Sequence, residues 1–334
     1  MTRALVTGGS GFIGQYLVSE LVARGRQVRV LDVNIPPRAL PTVDYVKGSV
    51  LDKGLVHHTM ADIDEVYHLA GLPGMWKPEK ADFYDVNVAG TENMLAVARR
   101  RATARFMHCS TESILFRASE PSDLVAEDAS PVVEEMPGPY TRSKMLADRL
   151  ALEAAASGFH VIVGCPTMPI GPHDHNLTPP TAMLRYFLGK RRLQVYFDFI
   201  VNLVDVRDAA VGLILAMEKG RIGHRYLIGG DSVPLRQVLA LMAATSGNRK
   251  LVIPVPGRLA ELAAWMIEFN ANHITGHAPS ATVEGVRIAR RTTALSIEKA
   301  RRELGYTPRP IEPVLCETIA HMMGRPVNTV SQHA

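Results

Sequence analysis

Cysteine is scarce: the 334 residues hold three, Cys109, Cys165 and Cys316. Odd in number and scattered, they fall at no metal-ligand spacing, so neither a disulfide scaffold nor a zinc site is expected. Long apolar runs are missing as well. No stretch approaches the roughly 18 residues that cross a bilayer. The start, Met1-Thr2-Arg3-Ala4-Leu5-Val6-Thr7, lacks the apolar run and cleavage site of a signal peptide. A large excess of either charge is also absent, with 37 Lys and Arg against 33 Asp and Glu and a formal net charge of +4. The short basic clusters, Arg99-Arg100-Arg101, Lys190-Arg191-Arg192, Arg290-Arg291 and Arg301-Arg302, read as solvated helix ends. They show none of the aromatic interleaving that reads nucleic acid. The expectation is a cytoplasmic protein without disulfides, membrane span, nucleic-acid partner or metal.

What is present suffices for a sizeable core: 47 % of residues are hydrophobic and 21 % charged. The length suits one large domain with a smaller lobe. Short β-branched runs at Arg3–Thr7, Gln27–Leu31, Val43–Lys47, Glu65–Leu69, Arg105–Ser110 and His160–Cys165 read as strands. Amphipathic stretches at Tyr16–Arg24, Asp85–Arg101 and Tyr140–Ala156 lie between them. Strands punctuated by helices predict an α/β fold, a doubly wound parallel sheet of the Rossmann type. Beyond Cys165 the texture changes. A proline-rich joint gives way to a strand-then-helix pattern at Asn202–Glu218, a last strand at Arg225–Ile228, and mainly helical patterns at Leu235–Thr245, Arg258–Phe269 and Ile297–Leu304. We expect a nucleotide domain over residues 1–175, with 201–229 returning to it. A mainly helical substrate lobe is expected from 176–200 and 230–326, followed by a loose tail at 327–334.

The most informative local pattern opens the chain. A buried-strand ending, Leu5-Val6-Thr7, runs into Gly8-Gly9-Ser10-Gly11-Phe12-Ile13-Gly14 and then a helical pattern. Glycines at 8, 11 and 14 permit a sharp turn, close approach to a pyrophosphate, and tight helix–sheet packing. The helix N-terminus offers unpaired N–H groups to the phosphates. The strand before and the helix after are the context this dinucleotide motif needs. The second strand ends at Asp32, whose carboxylate can accept both hydroxyls of a ribose and repels a 2′-phosphate, so NAD is expected over NADP. Arg38 in the following loop is the counterweight.

Tyr140 and Lys144 stand four residues apart at the start of a helical stretch, on one face. A free phenol titrates near ~10 and is a poor base at neutral pH. An ammonium about 4 Å away at an effective dielectric of roughly 20 contributes up to about 4 kcal/mol. That would lower the phenol by up to about three pH units, toward the range that suits a general acid/base.

The glycine spacing, His68-Leu69-Ala70-Gly71, Asn87-Val88-Ala89-Gly90-Thr91, Tyr140-Thr141-Arg142-Ser143-Lys144 and Glu303-Leu304-Gly305-Tyr306-Thr307-Pro308 span nearly the whole chain. Together they resemble the extended short-chain dehydrogenase/reductase, or NAD-dependent epimerase/dehydratase, family. Gly220–Tyr226 and Gly285–Arg290 are similar to its dihydroflavonol-4-reductase-like branch, which includes hopanoid-associated sugar epimerase-like proteins. The resemblance implies that Gly8, Gly11, Phe12 and Ile13 meet the pyrophosphate and that Asp32 meets the ribose. Leu69, Ala70 and Gly71 would line the adenosine side, and Pro166 and Met168 would flank the nicotinamide. Where the family commonly has an Asp near the adenine, this chain reads Gly48-Ser49-Val50, leaving Ser49 and Val50 for that contact. By the same resemblance Thr111 steadies the substrate oxygen beside Ser110, and Asn87 helps order the site. The resemblance also implies a homodimer through the helices Asp85–Arg101 and Tyr140–Ala156.

Dehydratases of the family follow the catalytic Thr with an Asp-Glu pair. Here Glu112 stands alone before Ser113, which argues against elimination of water. Glu112 is then read as a substrate contact or a solvated loop residue, His173 and His175 as pocket or loop residues, and Met75 and Trp76 as a pocket roof or simple packing. Asp208 is expected to cap the helix after Asp205. The expected lobe is apolar, although Arg185, Lys190, Arg191 and Arg192 could serve a diphosphate. The function expected is an NAD(H)-dependent oxidoreductase interconverting a secondary alcohol and a ketone or aldehyde of a small organic molecule. A nucleotide-sugar epimerase with transient oxidation is the alternative, and a non-catalytic NAD-sensing regulator the third reading.

Overall fold

Seven short runs dense in Val, Ile, Leu and aromatic residues become the strands β1 (Arg3–Thr7), β2 (Gln27–Asp32), β3 (Asp44–Lys47), β4 (Glu65–His68), β5 (Arg105–Cys109), β6 (Val161–Pro166) and β7 (Arg225–Ile228) in a computed structural model. It describes residues 2–101, 105–117, 123–129, 131–191, 193–247 and 250–325. Arg192 and the tail from 327 to 334 lie outside the described residues. The sheet order is β7-β6-β5-β4-β1-β2-β3, and every neighbouring pair is parallel. Parallel pairing demands crossovers, which the intervening helices supply. Both faces are therefore covered, and Ala4, Leu5 and Val6 are wholly buried in succession rather than alternately. The doubly wound architecture agrees with the expectation from sequence.

The strand order reverses between β1 and β4, where Thr7 pairs with Leu31 on one side and His68 on the other. A crevice at such a reversal, outside the carboxyl ends of the strands, is where open α/β sheets bind ligands. The first helix begins at Phe12, four residues before the expected Tyr16, because the extended backbone of Gly11 closes the turn directly into it. The stretch Asp85–Ala89 is π-helical, running into the helix Gly90–Arg100. The helices Pro139–Ala156 and Val206–Lys219 complete the layers near β5 and β6.

A second sheet joins Met168–Ile170, Ile200–Asp205 and Asp231–Pro234, the middle strand parallel to the first and antiparallel to the third. Around it lies a separate apolar cluster that includes Leu184, Val201, Leu235 and Leu315. Leu193–Tyr196 and Leu251–Pro254 form a two-stranded ribbon. The helix Glu298–Leu304 was grouped with the lobe by sequence; it packs on the helix Val206–Lys219 and on β7, within the large core. One local expectation is corrected. Asp205, not Asp208, caps the helix Val206–Lys219, accepting the Arg207 N–H at 2.8 Å. The helix starts at Val206, so Asp208 already lies inside its first turn and accepts the Arg309 N–H instead. Among the described residues no helix is long and apolar enough to cross a membrane.

Candidate active site

The glycine turn is built by close approach. Gly8 has φ +70°, and a Cβ there would stand 2.7 Å from the Ala70 nitrogen and 2.8 Å from the Leu69 carbonyl carbon, so a side chain is excluded on both counts. Its N–H donates to Leu31 O and its carbonyl accepts from Gly11, tying the turn to β2. The helix Phe12–Ala23 has no side-chain cap and no acidic residue in its first turn, leaving its N-terminal dipole uncompensated. Beside it, Asp32 accepts the Ser10 N–H and the Asn34 N–H, each at 3.0 Å. A turn with no room for side chains, an uncapped helix start and a carboxylate fixed by backbone donors suit a pyrophosphate and a ribose. Arg38 is exposed in the loop beyond. Ser49 spends its hydroxyl on the Leu51 N–H, and Val50 is buried with its methyl groups against Gly90.

From the turn, a chain of hydrogen bonds crosses to the Tyr140 helix. Thr7 Oγ1 meets His68 Nδ1 at 2.7 Å, and His68 Nε2 meets Thr91 Oγ1 at 3.0 Å. Thr91 donates to Asn87 O at 2.6 Å, Asn87 Nδ2 donates to Ser143 Oγ, and Ser143 donates to Tyr140 O. The Thr91 hydrogen is already committed, so the network assigns the Nε2–H tautomer to His68, with Nδ1 accepting from Thr7. Thr7 in turn accepts the Ala70 N–H. Burial, reinforced by Lys144, pushes the His68 pKa down to about 3, so the ring stays neutral. Asn87 Oδ1 accepts the Leu72 N–H and stands where a Cβ on Gly71 would crowd it. His108, on β5 beside His68, is also held neutral by burial, but both its ring nitrogens are buried without a hydrogen-bond partner among the described residues.

At the C-terminal end of β5 the other groups meet. Lys144 Nζ donates to Cys109 O at 2.7 Å, and burial lowers its pKa. Thr111 Oγ1 donates to Glu112 Oε2 at 2.9 Å and lies 3.1 Å from Ser113 Oγ. Tyr140 packs edge-on against Phe83 at 6.1 Å. The phenol departs from expectation. Burial first, then the Glu112 charge, pushes it well above its ordinary value, with Thr111 opposing, and Lys144 is not among the main influences on it. The ammonium is engaged by a strand carbonyl instead. Pro166 ends β6, and Met168 begins the next short strand at the same sheet edge.

Two carboxylates matter more than the sequence suggested. Burial raises Glu112 to a pKa of about 7, against the hydrogen bond from Thr111; it is a half-buried neighbour of Thr111, not a solvated loop residue. Glu284 was not singled out at all. Its carboxylate accepts the Thr141 N–H and hydroxyl, both at 2.7 Å, and the Tyr140 N–H at 3.2 Å. It thus anchors the start of the Tyr140 helix from 144 residues away, and burial raises its pKa. A cleft of ≈170 Å³ opens here, lined by Met75, Trp76, Phe83, Pro139, Glu268 and Glu284 among others. His173 and His175 lie in a loop packed on the first helix, where the His173 carbonyl accepts from Gln15 Nε2 at 2.9 Å and the His173 ring meets the His321 ring at 4.6 Å. No cluster of three or more metal-ligating side chains occurs among the described residues.

The model of the NAD dependent epimerase/dehydratase family matches residues 4–229, strand β1 through strand β7. The chain belongs to this family. It is an NAD(P)-dependent enzyme of the extended short-chain dehydrogenase/reductase type. A protein of Synechocystis sp. named as a dihydroflavonol 4-reductase is 32 % identical over 323 residues, covering 94 % of this chain and 92 % of its own. A Stigmatella aurantiaca protein, 4-hydroxy-2-methyl-3-oxo-4-farnesyl-3,4-dihydroquinoline-1-oxide ketoreductase, is 32 % identical, covering 92 % of each chain. In fold, the chain is similar to a dTDP-glucose 4,6-dehydratase of Streptomyces venezuelae solved with NAD bound, at TM-score 0.76, 24 % identity and 97 % coverage of both chains.

Proposed function

We propose that this family member is an NAD(H)-dependent oxidoreductase that interconverts a secondary alcohol and a ketone or aldehyde of a small organic substrate. The observation that carries the reading is the convergence of Tyr140, Thr111 and Lys144 on the end of β5, along the sheet edge that bears the glycine turn. Backbone around Gly8, Gly11, Phe12 and Ile13 would hold the pyrophosphate, and Asp32 the ribose. Ser49, Val50, Leu69, Ala70 and Gly71 would border the adenosine, and Pro166 and Met168 the nicotinamide. When bound, NAD(H) supplies or accepts the hydride. Tyr140 exchanges the proton of the substrate oxygen, and Thr111 hydrogen-bonds that oxygen as charge develops on it. Asn87, through Ser143, and Glu284 fix the helix that carries Tyr140. Lys144 ties the same helix to β5 and keeps positive charge beside the site. The substrate would sit in the lobe of residues 176–200 and 230–326, and the ketoreductase relative's farnesylated substrate favours an apolar one.

A second reading, epimerisation of a nucleotide sugar, has one observation behind it. A hollow of ≈550 Å³ beside the Tyr140 helix is lined by Arg142, Arg287 and Arg291 together with Glu134 and Glu135, an arginine majority that could face a diphosphate. One preparation separates the two. The purified protein is examined by mass spectrometry for retained nucleotide, and its 340 nm absorbance is followed with NADH or NADPH and a panel of ketones. Turnover with NADH over NADPH is the expected outcome. NAD that survives dialysis, without net absorbance change, would instead establish the epimerase. A homodimer through the helices 85–101 and 140–156 is part of the proposal, and sedimentation velocity reads it.

A further inference from the structure

The helix Gly257–Asn270 and the π-helical turn Ala271–Thr275 are inverted relative to an ordinary surface helix. Leu259, Leu262, Trp265, Met266, Phe269 and Ile274 are all exposed, Ile274 by 72 %. Spacings of three and four put Leu259, Leu262, Met266 and Phe269 on one stripe, facing out. Only Ala264 is fully buried within the helix proper. The helix carries two acids, and neither is free on that stripe: Glu261 pairs with Arg287 and Arg290, and Glu268 accepts the Val283 N–H beside the cleft. The outward fringe is basic or neutral instead, with Arg258, His273 and His277 exposed. The ribbon just before the helix repeats the pattern, exposing Leu193, Val195 and Leu251 next to the exposed Lys190 and Arg191. Both tryptophans of the chain belong here. Trp265 stacks on Phe269 at 5.6 Å, and Trp76 donates to Asn272 of the turn at 2.8 Å.

We propose that this outer face is a docking surface for an anionic lipid bilayer. A wide apolar stripe with aromatic residues and a cationic fringe is what lies in the headgroup region of a membrane, and each basic residue near an anionic surface adds attraction. Charge sign decides against a second copy of the chain. A two-fold interface would set this face against itself, bringing Arg258, Lys190 and Arg191 toward their own copies, while Glu261 and Asp198 are already paired with arginines of the same chain. The patch also borders the cleft at Glu268 and Trp76, so docking turns the cleft mouth toward the bilayer. Resting on the oxidoreductase reading, this deepens it: the substrate class is a ketone or alcohol that partitions into membranes.

The test needs no turnover. The full chain is sedimented with vesicles of phosphatidylcholine containing 30 mol % phosphatidylglycerol, and with pure phosphatidylcholine, alongside a Leu262→Glu/Met266→Glu variant. Binding to the anionic vesicles, weaker binding to the neutral ones, and a loss of about 10-fold or more in the variant are expected from two large apolar side chains becoming charged. Dinucleotide binding reports that the variant is folded, and Ile274→Glu, at an exposed turn position, serves should the double variant fail to fold. No vesicle binding by the unaltered chain, or equal binding by the variants, overturns the proposal. So does a change from dimer to monomer in the variant without vesicle binding, since the face would then be a protein interface. An unreactive enzyme that still binds vesicles would refute the oxidoreductase reading and leave the docking surface standing.

Discussion

Two sides meet at Tyr140, and they are made of different chemistry. Toward the sheet, the helix is held by Thr7, His68, Thr91, Asn87 and Ser143, all neutral and linked hydrogen bond to hydrogen bond. Away from it stand Glu112 and Glu284, carboxyls whose burial raises their pKa. Neutral groups with a fixed tautomer give the cofactor side an electrostatic setting that does not change across the working pH range. On the carboxyl side, Glu112, raised to about 7, changes its charge within it. Proton traffic, and with it pH sensitivity, is therefore concentrated where the substrate oxygen would lie.

The group at the junction tests whether the two sides serve one reaction. Tyr140→Phe keeps the ring against Phe83 and every backbone bond while removing the phenolic proton. We expect kcat to fall about 10³-fold, within the range a positioned acid/base contributes, with the thermal midpoint and NADH affinity nearly unchanged. Steady-state rates at 340 nm and a fluorescence titration read both. Activity retained in this variant would detach Tyr140 from the chemistry.

Acid sharpens the comparison from the neutral side. The unfolded chain protonates His68 near 6.5, whereas in the fold burial holds it down to about 3. Between those values the unfolded state binds more protons, so stability falls as pH drops from 6.5 toward 3 and is untouched above 6.5. The loss should reach a few kcal/mol and should shrink in His68→Gln, as urea titrations at pH 7 and pH 4 would show.

Much of the cofactor side and of the Tyr140 helix was legible in sequence because its information is local. Gly8, Gly11, Asp32, Tyr140 and Lys144 each sit in a short pattern whose strand or helix can be read from a dozen neighbours. The carboxyl side was not, since its contacts are long-range. Nothing near Glu284 in the chain announces a cap for a helix 144 residues earlier, and nothing around Trp76 points to Asn272. Glu112 was visible, but its protonation depends on burial, which spacing does not encode. The same limit applies to the cap of the helix Val206–Lys219, where the exact helix start decides whether Asp205 or Asp208 accepts its first N–H groups.

Breaking the anchor tests the carboxyl side as structure. Glu284→Gln keeps one oxygen for three donors and turns an amide toward them, so a backbone N–H or the Thr141 hydroxyl loses its partner. A cost of about 2 kcal/mol is expected for a buried donor left unpaired at a helix start. A urea titration would show that loss. Because the helix start carries Tyr140, kcat should fall while the KM for NADH holds. A stability loss without any change in kcat would mean that the anchor supports the fold alone.

The smallest effect separates Glu112 as a proton-sensitive neighbour from Glu112 as packing. Below pH 7 its carboxyl is protonated, can donate to Thr111 Oγ1, and leaves the Thr111 hydrogen for a ketone oxygen. Above pH 7 the carboxylate takes that hydrogen, as the 2.9 Å contact allows, and its charge holds the Tyr140 phenol further up as a weaker acid. Ketone reduction should therefore slow as pH rises through about 7, by roughly tenfold for 1.4 kcal/mol of lost stabilisation. Glu112→Gln cannot make the change and should flatten that limb of the kcat profile. A profile that keeps its limb in the variant would move the titrating group elsewhere, and the contrast between a pH-blind and a pH-sensitive side would fail at its most exposed point.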